Sequence, residues 1–276
     1  MVRPCGAGNG GSSNMTRKLD FKAFIFDLDG CIYRGDRPVE GAVDVIDTLR
    51  AKEKKVLFLT NNSTKTPREY TNKLRRMGIE ASTQEIMTSS LATAIYMRRL
   101  ERGGCYVIGE EALESALSGE GFTLLDEAEA KRARYLVCGL DFGLTYEKLV
   151  AACFAIQGGA KFIATNADPS LPVEGGFMPG AGAIISAIVE ATGVKPIVVG
   201  KPSKKIMDIA LKRLGVSREE AAIIGDCLYT DLAAGKRAGI YTILVLTGAT
   251  SKDDLMESRQ QPDLILESVA DLLKFI

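Results

Sequence analysis

Short apolar runs alternate with amphipathic helical patterns along most of the chain, and this alternation limits its possible folds more than any other feature. Runs such as 23–26, 56–59 and 242–246 are each followed by a segment with apolar residues at helical spacing or by turn residues. Continuous apolar strands between helices are typical of parallel sheets that are covered on both faces. We therefore predict an α/β fold with a doubly wound parallel core sheet.

The chain also divides into regions along its length. Residues 99–195 form a separate α/β unit, with its clearest strands at 135–138 and 161–164. Residues 18–98 and 196–276 together supply the core sheet, and the apolar run 197–199 is predicted to be one of its strands. Residues 1–17 are rich in glycine and serine and are predicted to be a disordered tail.

Composition excludes several kinds of site. The chain has no histidine, so it cannot by itself build a Ser-His-Asp triad or a His-ligated zinc site. Lys+Arg and Asp+Glu both number 35, which gives no overall attraction to nucleic acid or to an anionic membrane. Its six cysteines include no C-x-x-C pair. With no secretory signal or bilayer-length apolar run, we expect a cytoplasmic protein without nucleic-acid or membrane partners.

Polar residues follow four of the apolar runs, and they could meet although they are far apart in sequence. In an open parallel α/β sheet, ligands bind outside the carboxyl ends of the strands. We therefore expect these residues to lie at one edge of the sheet: Asp27, Asp29, Thr60, Asn61, Lys201, Asp226 and Asp231.

The residue types indicate phosphate chemistry supported by a hard metal ion. Asp27 and Asp29 are two residues apart, and close carboxylates repel unless a cation lies between them. That repulsion is consistent with bound Mg²⁺, with a proton-sharing acid–base pair, or with both. Asp226 and Asp231 form a second acidic group, and oxygen ligands suit Mg²⁺. Lys201 is the best candidate cation for stabilising phosphoryl oxygens.

These segments resemble the four motifs of the haloacid dehalogenase superfamily, in the family's order. The motifs correspond to residues 27–31 (DLDGC), to Thr60 in 59–63 (LTNNS), to Lys201 and to residues 225–231 (GDCLYTD). Residues 164–182 and the long insert are similar to the group with a type IIA cap. That group contains NagD-type nucleotidases, 4-nitrophenylphosphatases, phosphoglycolate phosphatase and pyridoxal phosphatase. A Rossmann-like core sheet and an inserted α/β cap domain at 99–195 are what the resemblance implies.

The resemblance also implies roles for individual residues. Asp27 is expected to attack phosphorus, and Asp29 to protonate the leaving alcohol and later to activate water. The expected ligands and neighbours of a Mg²⁺ ion are Asp27, Asp29 (through its backbone carbonyl), Asp226 and Asp231. The expected contacts to phosphate and substrate are Thr60, Asn61, Asn62, Lys201, Asn166 and Asp168.

The expected substrate is a small phosphate monoester, and several are compatible with the resemblance. They are 2-phosphoglycolate, pyridoxal phosphate, nucleotide or sugar phosphates, and 4-nitrophenyl phosphate. A homodimer through the cap is also plausible from the resemblance. Two other functions remain open at this point. One is a phosphotransferase with the same core, and the other is a noncatalytic module that binds a phosphorylated ligand. The intact Asp27–Asp29 pair favours catalysis, because simple binding does not require it.

Overall fold

A computed structural model describes residues 18–173 and 175–276 of the chain. The predicted tail at 1–17 lies outside the described residues. The strands are, in chain order, β1 (Ala23–Asp27), β2 (Tyr33–Arg34), β3 (Arg37–Pro38), β4 (Lys55–Thr60), β5 (Ile86–Thr88), β6 (Gly104–Ile108), β7 (Thr123–Leu125), β8 (Tyr135–Cys138), β9 (Lys161–Ala164), β10 (Ser170–Val173), β11 (Gly176–Pro179), β12 (Ile197–Val198), β13 (Ala221–Gly225), β14 (Tyr241–Val245) and β15 (Leu264–Leu266).

The helices lie between these strands. They are α1 (Ala42–Ala51), α2 (Pro67–Arg76), α3 (Ser89–Met97), α4 (Glu111–Gly119), α5 (Tyr146–Gln157), α6 (Ala181–Thr192), α7 (Lys204–Leu214), α8 (Ala233–Ala238) and α9 (Lys252–Glu257). Several of them begin at side-chain caps, as α2 does at Thr66 in a capping box with Glu69. Ser203 caps α7, and Gly215 ends it in the left-handed conformation.

The larger sheet has the strand order β15-β14-β13-β1-β4-β5, and all its pairs are parallel. Strand β1 is central and buried throughout. Phe24 and Phe26 pack into one apolar cluster, while Ala23 and Ile25 pack into another on the opposite face. Helices thus cover both faces of the sheet, and the predicted doubly wound α/β fold class is confirmed.

A second parallel sheet, of order β12-β9-β8-β6-β7, is built from residues 104–198. The prediction that the run 197–199 forms a strand of the core sheet was wrong. Ile197 and Val198 form β12, which pairs with Ile163 and Ala164 of β9 at the edge of the second sheet. The division into a core of 18–98 and 196–276 and a cap of 99–195 stays a prediction.

The two sheets share one apolar core. Its buried side chains include Met97 of α3, Leu113 of α4, Ile163 of β9 and Ile206 of α7, together with residues of β1 and β4. The shared packing places the two sheets in contact with each other. It brings the carboxyl ends of both sets of strands toward one cavity, which is described below. Among the described residues, no helix combines the length and apolar character needed to cross a bilayer.

Candidate active site

Asp27 ends the central strand β1 and lies in a cluster of acidic side chains. Asp226 follows the neighbouring strand β13, and Asp231 lies a few residues further on. The three residues are buried, and each offers a carboxylate oxygen within 4.8 Å of those of the other two. Because β1 and β13 are adjacent and parallel, both strands end at the same edge of the sheet. The structure therefore brings together the two acidic groups that were predicted to meet.

Lys201 supplies a positive charge to this cluster. Its Nζ atom donates hydrogen bonds to Asp27 Oδ1 and Asp231 Oδ1, both at 2.5 Å, and to the Leu59 carbonyl at 3.4 Å. Only 3% of Lys201 is exposed. The residue follows β12 of the second sheet rather than a strand of the first. Both sheets thus contribute charged groups to the site.

The buried charges shift one another's pKa values. Burial raises the pKa of Asp27 well above its usual value, Lys201 opposes that shift, and Asp231 and Asp226 add to it. Burial and Asp231 together raise the pKa of Asp226 to about 6. Burial alone would lower the pKa of Lys201, but the carboxylates of Asp231 and Asp27 outweigh it and raise that pKa. With all groups ionised, three carboxylates face one ammonium, which leaves an excess of negative charge.

This donor set fits a hard divalent cation. Three carboxylates from two chain segments converge, and no histidine or cysteine belongs to the acidic cluster found among the described residues. Mg²⁺ prefers such oxygen ligands. A divalent charge would also offset the excess negative charge of the buried cluster.

Glycines allow the chain to approach Asp226 very closely. Gly30 follows the first acidic pair with a φ of +81°, which side chains rarely adopt. A Cβ atom at Gly30 would lie 2.4 Å from Asp226 Oδ2, and one at Gly248 would lie only 1.8 Å from the same atom. The Ala249 N–H donates to Asp226 Oδ2 at 2.5 Å. The loop at 247–250 therefore packs against the Asp226 carboxylate and donates a hydrogen bond to it.

Sequence reasoning missed this loop, although a signal was present. The segment TGAT at 247–250 follows the apolar run of β14, just as the recognised polar residues follow other strands. Thr250 N–H donates to the Asp226 carbonyl at 3.1 Å, and Thr250 Oγ1 accepts a hydrogen bond from Leu228 N–H at 3.2 Å. Thr247 Oγ1 donates to the Gly30 carbonyl at 2.6 Å. The loop thus hydrogen-bonds to the main chain next to both acidic groups, at Gly30 on one side and at Asp226 and Leu228 on the other.

Asp231 lies in an unusual turn of helix. Residues Leu228–Leu232 form a π-helical turn that leads into α8. Such turns are frequent at functional sites, because they redirect a side chain without ending the helix. Asp231 is 1% exposed, and its Oδ2 atom accepts a hydrogen bond from Cys227 N–H at 3.2 Å. Its other oxygen, Oδ1, accepts the hydrogen bond from Lys201 Nζ. Burial raises the pKa of the neighbouring Cys227 thiol, which disfavours the reactive thiolate.

The residues after β4 form a tight turn at the same edge. Thr60 Oγ1 accepts a hydrogen bond from Asn62 N–H at 3.1 Å. Asn62 Oδ1 accepts hydrogen bonds from the N–H and hydroxyl of Thr64, at 2.8 and 2.7 Å. Ser63 is buried, and its Oγ atom accepts a hydrogen bond from Leu140 N–H at 3.2 Å. The turn therefore also contacts the loop after β8 in the second sheet.

Asn166 and Asp168 reach the site from the second sheet. Asn166 Nδ2 donates to Asp168 Oδ2 at 2.6 Å. Asn61 Nδ2 donates to the same oxygen at 2.8 Å. The structure thus places Asp168 in direct contact with Asn61 of the turn after β4, and Asn166 is joined to this turn through Asp168.

All the predicted site residues line one cavity of about 250 Å³. They are Asp27, Asp29, Thr60, Asn61, Asn62, Asn166, Asp168, Lys201, Asp226 and Asp231. Burial raises the pKa of Asp29, while nearby Lys73 and Lys65 oppose that shift. The cavity also has walls that sequence reasoning did not predict: Tyr33, Ser63, Tyr70, Leu140, Ser170 and Leu171. A cavity of this volume accommodates a small ligand.

The family of the chain follows from comparison with known proteins. The haloacid dehalogenase-like hydrolase family model matches residues 24–123, and a HAD-hydrolase-like model matches residues 198–272. The chain is 43% identical over 244 residues to an acid sugar phosphatase of Staphylococcus haemolyticus, covering 88% of this chain and 92% of that protein.

Solved structures agree with the sequence matches. The p-nitrophenyl phosphatase of Archaeoglobus fulgidus has a TM-score of 0.87 at 36% identity, covering 94% of this chain and 100% of its own. NagD of E. coli K-12 has a TM-score of 0.86 at 34% identity, covering 92% and 98%. The predicted resemblance and the predicted enzyme class are confirmed. The chain belongs to the haloacid dehalogenase-like hydrolases, within the NagD-like group, and is a phosphatase.

Proposed function

We propose that the chain is a Mg²⁺-dependent phosphatase that hydrolyses small phosphate monoesters through an aspartyl-phosphate on Asp27. The observation that carries this proposal is the convergence of Asp27, Asp226, Asp231 and Lys201 at one end of the cavity. Asp29 lines the same cavity. A binding module would not need a second carboxyl next to the first. The phosphatase relatives also favour turnover over simple binding.

The first step is attack by Asp27. A carboxylate oxygen of Asp27 bonds to phosphorus, the ester P–O bond breaks, and the leaving alkoxide takes a proton from Asp29. Asp29 is exposed at the cavity, and partial desolvation of its carboxyl still raises its pKa, which supports its role as the acid. In the second step Asp29 removes a proton from water, whose oxygen attacks phosphorus. The bond between phosphorus and Asp27 then breaks, and phosphate leaves.

Positive charge and hydrogen-bond donors stabilise the phosphoryl oxygens during both steps. Lys201 is fixed by two carboxylates, so its ammonium is held in place before a substrate binds. Thr60 offers a hydroxyl at the edge of the cavity. We assign Thr60, Asn62 and Lys201 to phosphoryl binding, since all three line the cavity. The Lys201 N–H that makes only the long, 3.4 Å contact to the Leu59 carbonyl is the one that would turn to a phosphoryl oxygen.

The proposed metal site uses Asp27, the main-chain carbonyl of Asp29, and Asp226, with Asp231 beside them. When bound, Mg²⁺ supplies charge that draws electron density from the phosphoryl oxygens. The Asp226 carboxylate is held ready by Ala249 N–H. Asp231 holds Lys201 and is in turn held by Cys227 N–H.

The leaving group is expected to extend toward Asn166 and Asp168 in the loop after β9 and toward Leu171 of β10. A lining with both polar and apolar side chains suits a compact, partly polar alcohol. The relatives named for sugar phosphates and for nitrophenyl phosphate differ in their leaving groups. The proposed substrate class therefore covers small esters, from sugar phosphates to 4-nitrophenyl phosphate. The homodimer and the cytoplasmic location stay predictions.

Phosphate release tests the proposal. 4-Nitrophenyl phosphate and a panel of cellular phosphate esters are incubated with the wild type, Asp27→Asn and the control Asp47→Asn, which alters an exposed carboxyl on α1. We expect Mg²⁺-dependent release that EDTA abolishes, that Asp27→Asn removes and that Asp47→Asn retains. Turnover by Asp27→Asn near the wild-type rate would refute the nucleophile. Transfer of phosphate to an added alcohol in preference to water would favour the phosphotransferase.

A further inference from the structure

Asn61 has already used every hydrogen-bond donor of its side chain. A primary amide has two N–H donors. One is directed to Asp168 Oδ2 at 2.8 Å and the other to the Lys201 carbonyl at 2.9 Å. Its oxygen, Oδ1, accepts a hydrogen bond from Lys201 N–H at 2.8 Å. Asn61 therefore cannot donate to a phosphoryl oxygen without breaking one of these bonds.

The partners fix which way the amide faces. Lys201 N–H requires an acceptor, whereas the Lys201 carbonyl and the Asp168 carboxylate both require donors. A reversed amide would place oxygen against two acceptors and NH₂ against a donor. The observed orientation satisfies all three neighbours, and it clamps both main-chain polar groups of Lys201 at once.

Close packing around this contact leaves little room for movement. A Cβ atom at Gly200 would lie 2.7 Å from Asn61 Oδ1 and 2.4 Å from the Thr165 carbonyl. Gly200 N–H donates to that carbonyl at 2.7 Å. On the other side, Ser89 Oγ donates to the Asn61 carbonyl at 2.6 Å. Residue 61 is therefore held by both sheets.

The Asn61 amide connects two residues that line the proposed active site, Lys201 and Asp168. Lys201 contacts the attacking Asp27, and Asp168 lies where the leaving group is expected. The Asp168 Oδ2 atom receives amides from both Asn61 and Asn166. One side chain thus holds the main chain of Lys201, whose ammonium contacts Asp27, and the carboxylate of Asp168, which faces the expected leaving group.

We propose that Asn61, which follows β4 of the larger sheet, is a positioning residue that holds Lys201 and Asp168 of the second sheet in place, rather than a ligand of the phosphate. This inference rests on the proposed phosphatase function. It revises the phosphate contact that the sequence predicted for Asn61. A displacement of about 1 Å in a catalytic group can cost on the order of 100-fold in rate. Loss of the Asn61 hydrogen bonds is therefore expected to lower the rate by displacing Lys201.

A double-mutant cycle tests the link, with Asn61→Asp, Asp168→Asn and the double variant. Asn61→Asp keeps the acceptor for Lys201 N–H but removes both donors and sets two carboxylates against each other. We expect kcat for 4-nitrophenyl phosphate to fall about 10- to 100-fold. Adding Asp168→Asn restores a donor between the two positions, so the double variant should recover about 5-fold or more over Asn61→Asp. Asn72→Asp, at an exposed position on α2, is the matched control.

The outcomes separate this inference from the proposed function. Additive losses with no recovery in the double variant would overturn the positioning role and favour direct phosphate contact. Thermal unfolding of the same four proteins measures the link without turnover, and coupling between the two positions is expected there also. If the wild type hydrolyses no ester, the proposed function fails, while the unfolding cycle still decides whether residues 61 and 168 are linked.

Discussion

Gly248→Ala should disable the proposed metal site by adding a single methyl group. The added carbon would lie 1.8 Å from Asp226 Oδ2 and 2.4 Å from Asp226 Cγ, whereas real Cβ atoms essentially never approach closer than 3.0 Å. The carboxylate or the loop must therefore move by about 1.2 Å, the difference between 1.8 and 3.0 Å. No left-handed conformation is recorded at Gly248, so lack of space is the cause of the strain.

The expected loss can be estimated from that displacement. Moving a catalytic or metal-binding group by about 1 Å costs on the order of 100-fold in rate. Disturbing the groups that hold a metal ligand typically weakens metal affinity about 10- to 100-fold. We therefore expect kcat/KM for 4-nitrophenyl phosphate to fall about 100-fold at a fixed Mg²⁺ concentration. We also expect the half-saturating Mg²⁺ concentration to rise at least about 10-fold.

The assay is a Mg²⁺ titration of 4-nitrophenyl phosphate hydrolysis by both proteins. The control is Gly119→Ala at the end of α4, where an added Cβ atom meets nothing within 4 Å. That variant should keep the wild-type titration curve. Overpacking costs about 1–3 kcal/mol, so thermal unfolding of Gly248→Ala in EDTA must first show that the protein is folded. An unchanged Mg²⁺ titration in folded Gly248→Ala would refute the placement of Asp226 in the metal site.

Three further changes should act through different parts of the structure. Lys201→Met leaves two buried carboxylates without their ammonium, so it should destabilise the protein by about 3–5 kcal/mol in EDTA and less in Mg²⁺, as thermal unfolding would show. Phe58→Ala should cost about 3–5 kcal/mol in urea unfolding, because the ring is fully buried; a cost below about 1 kcal/mol would contradict the packing. Burial alone would raise the pKa of Asp263, but hydrogen bonds from Lys236 and Thr242 lower it overall. The ionised Asp263 side chain therefore stabilises the folded protein above about pH 4, and this stabilisation is lost as the pH falls through the lowered pKa. Asp263→Asn should therefore cost on the order of 1 kcal/mol at pH 7 and almost nothing near pH 2, and an equal cost at both pH values would contradict this.

Much of the larger sheet could be predicted because its strands are short, apolar and buried on both faces. Strands β1, β4 and β13 all appear as continuous apolar runs in the sequence. Asp27 and Asp226 could be placed near each other because parallel strands end at a common edge. That inference needs only strand direction, and it does not require knowledge of which strands are neighbours.

The strand before Lys201 could not be assigned to the right sheet, and the reason is physical. Ile197 and Val198 form an apolar run that fits either sheet equally well. Which strand it pairs with depends on Ile163 and Ala164, more than 30 residues earlier, and periodicity within a run does not encode a partner. Lys201 nevertheless reaches the site, because the second sheet also presents its carboxyl edge to the cavity.

The hydrogen-bond partners of the site side chains were harder to predict from the sequence than the edge of the sheet at which those side chains lie. The sequence indicates that Asn61 can donate and accept hydrogen bonds, but its partners lie 107 and 140 residues away in the chain. Only the three-dimensional arrangement shows that Lys201 and Asp168 take up both donors. The loop at 247–250 was missed for a related reason. Glycine and threonine after a strand are common in ordinary turns, and only the approach to Asp226 gives them a role.

The placement of the charges explains how such a site can combine fixed chemistry with a variable substrate. Asp27, Asp226 and Asp231 follow two adjacent strands of the larger sheet, so their spacing depends on main-chain pairing that few substitutions alter. Asn166 and Asp168 lie in a loop after β9, outside any strand pairing, and loops tolerate change more readily than strands do. Changes in that loop can thus alter the leaving group that is accepted while the phosphoryl site is preserved. The amide of Asn61 restricts which changes are tolerated in this loop, because it hydrogen-bonds to both Asp168 and the Lys201 carbonyl. On the positioning role proposed for Asn61, a substitution that displaces Asp168 would therefore also displace the main chain of Lys201.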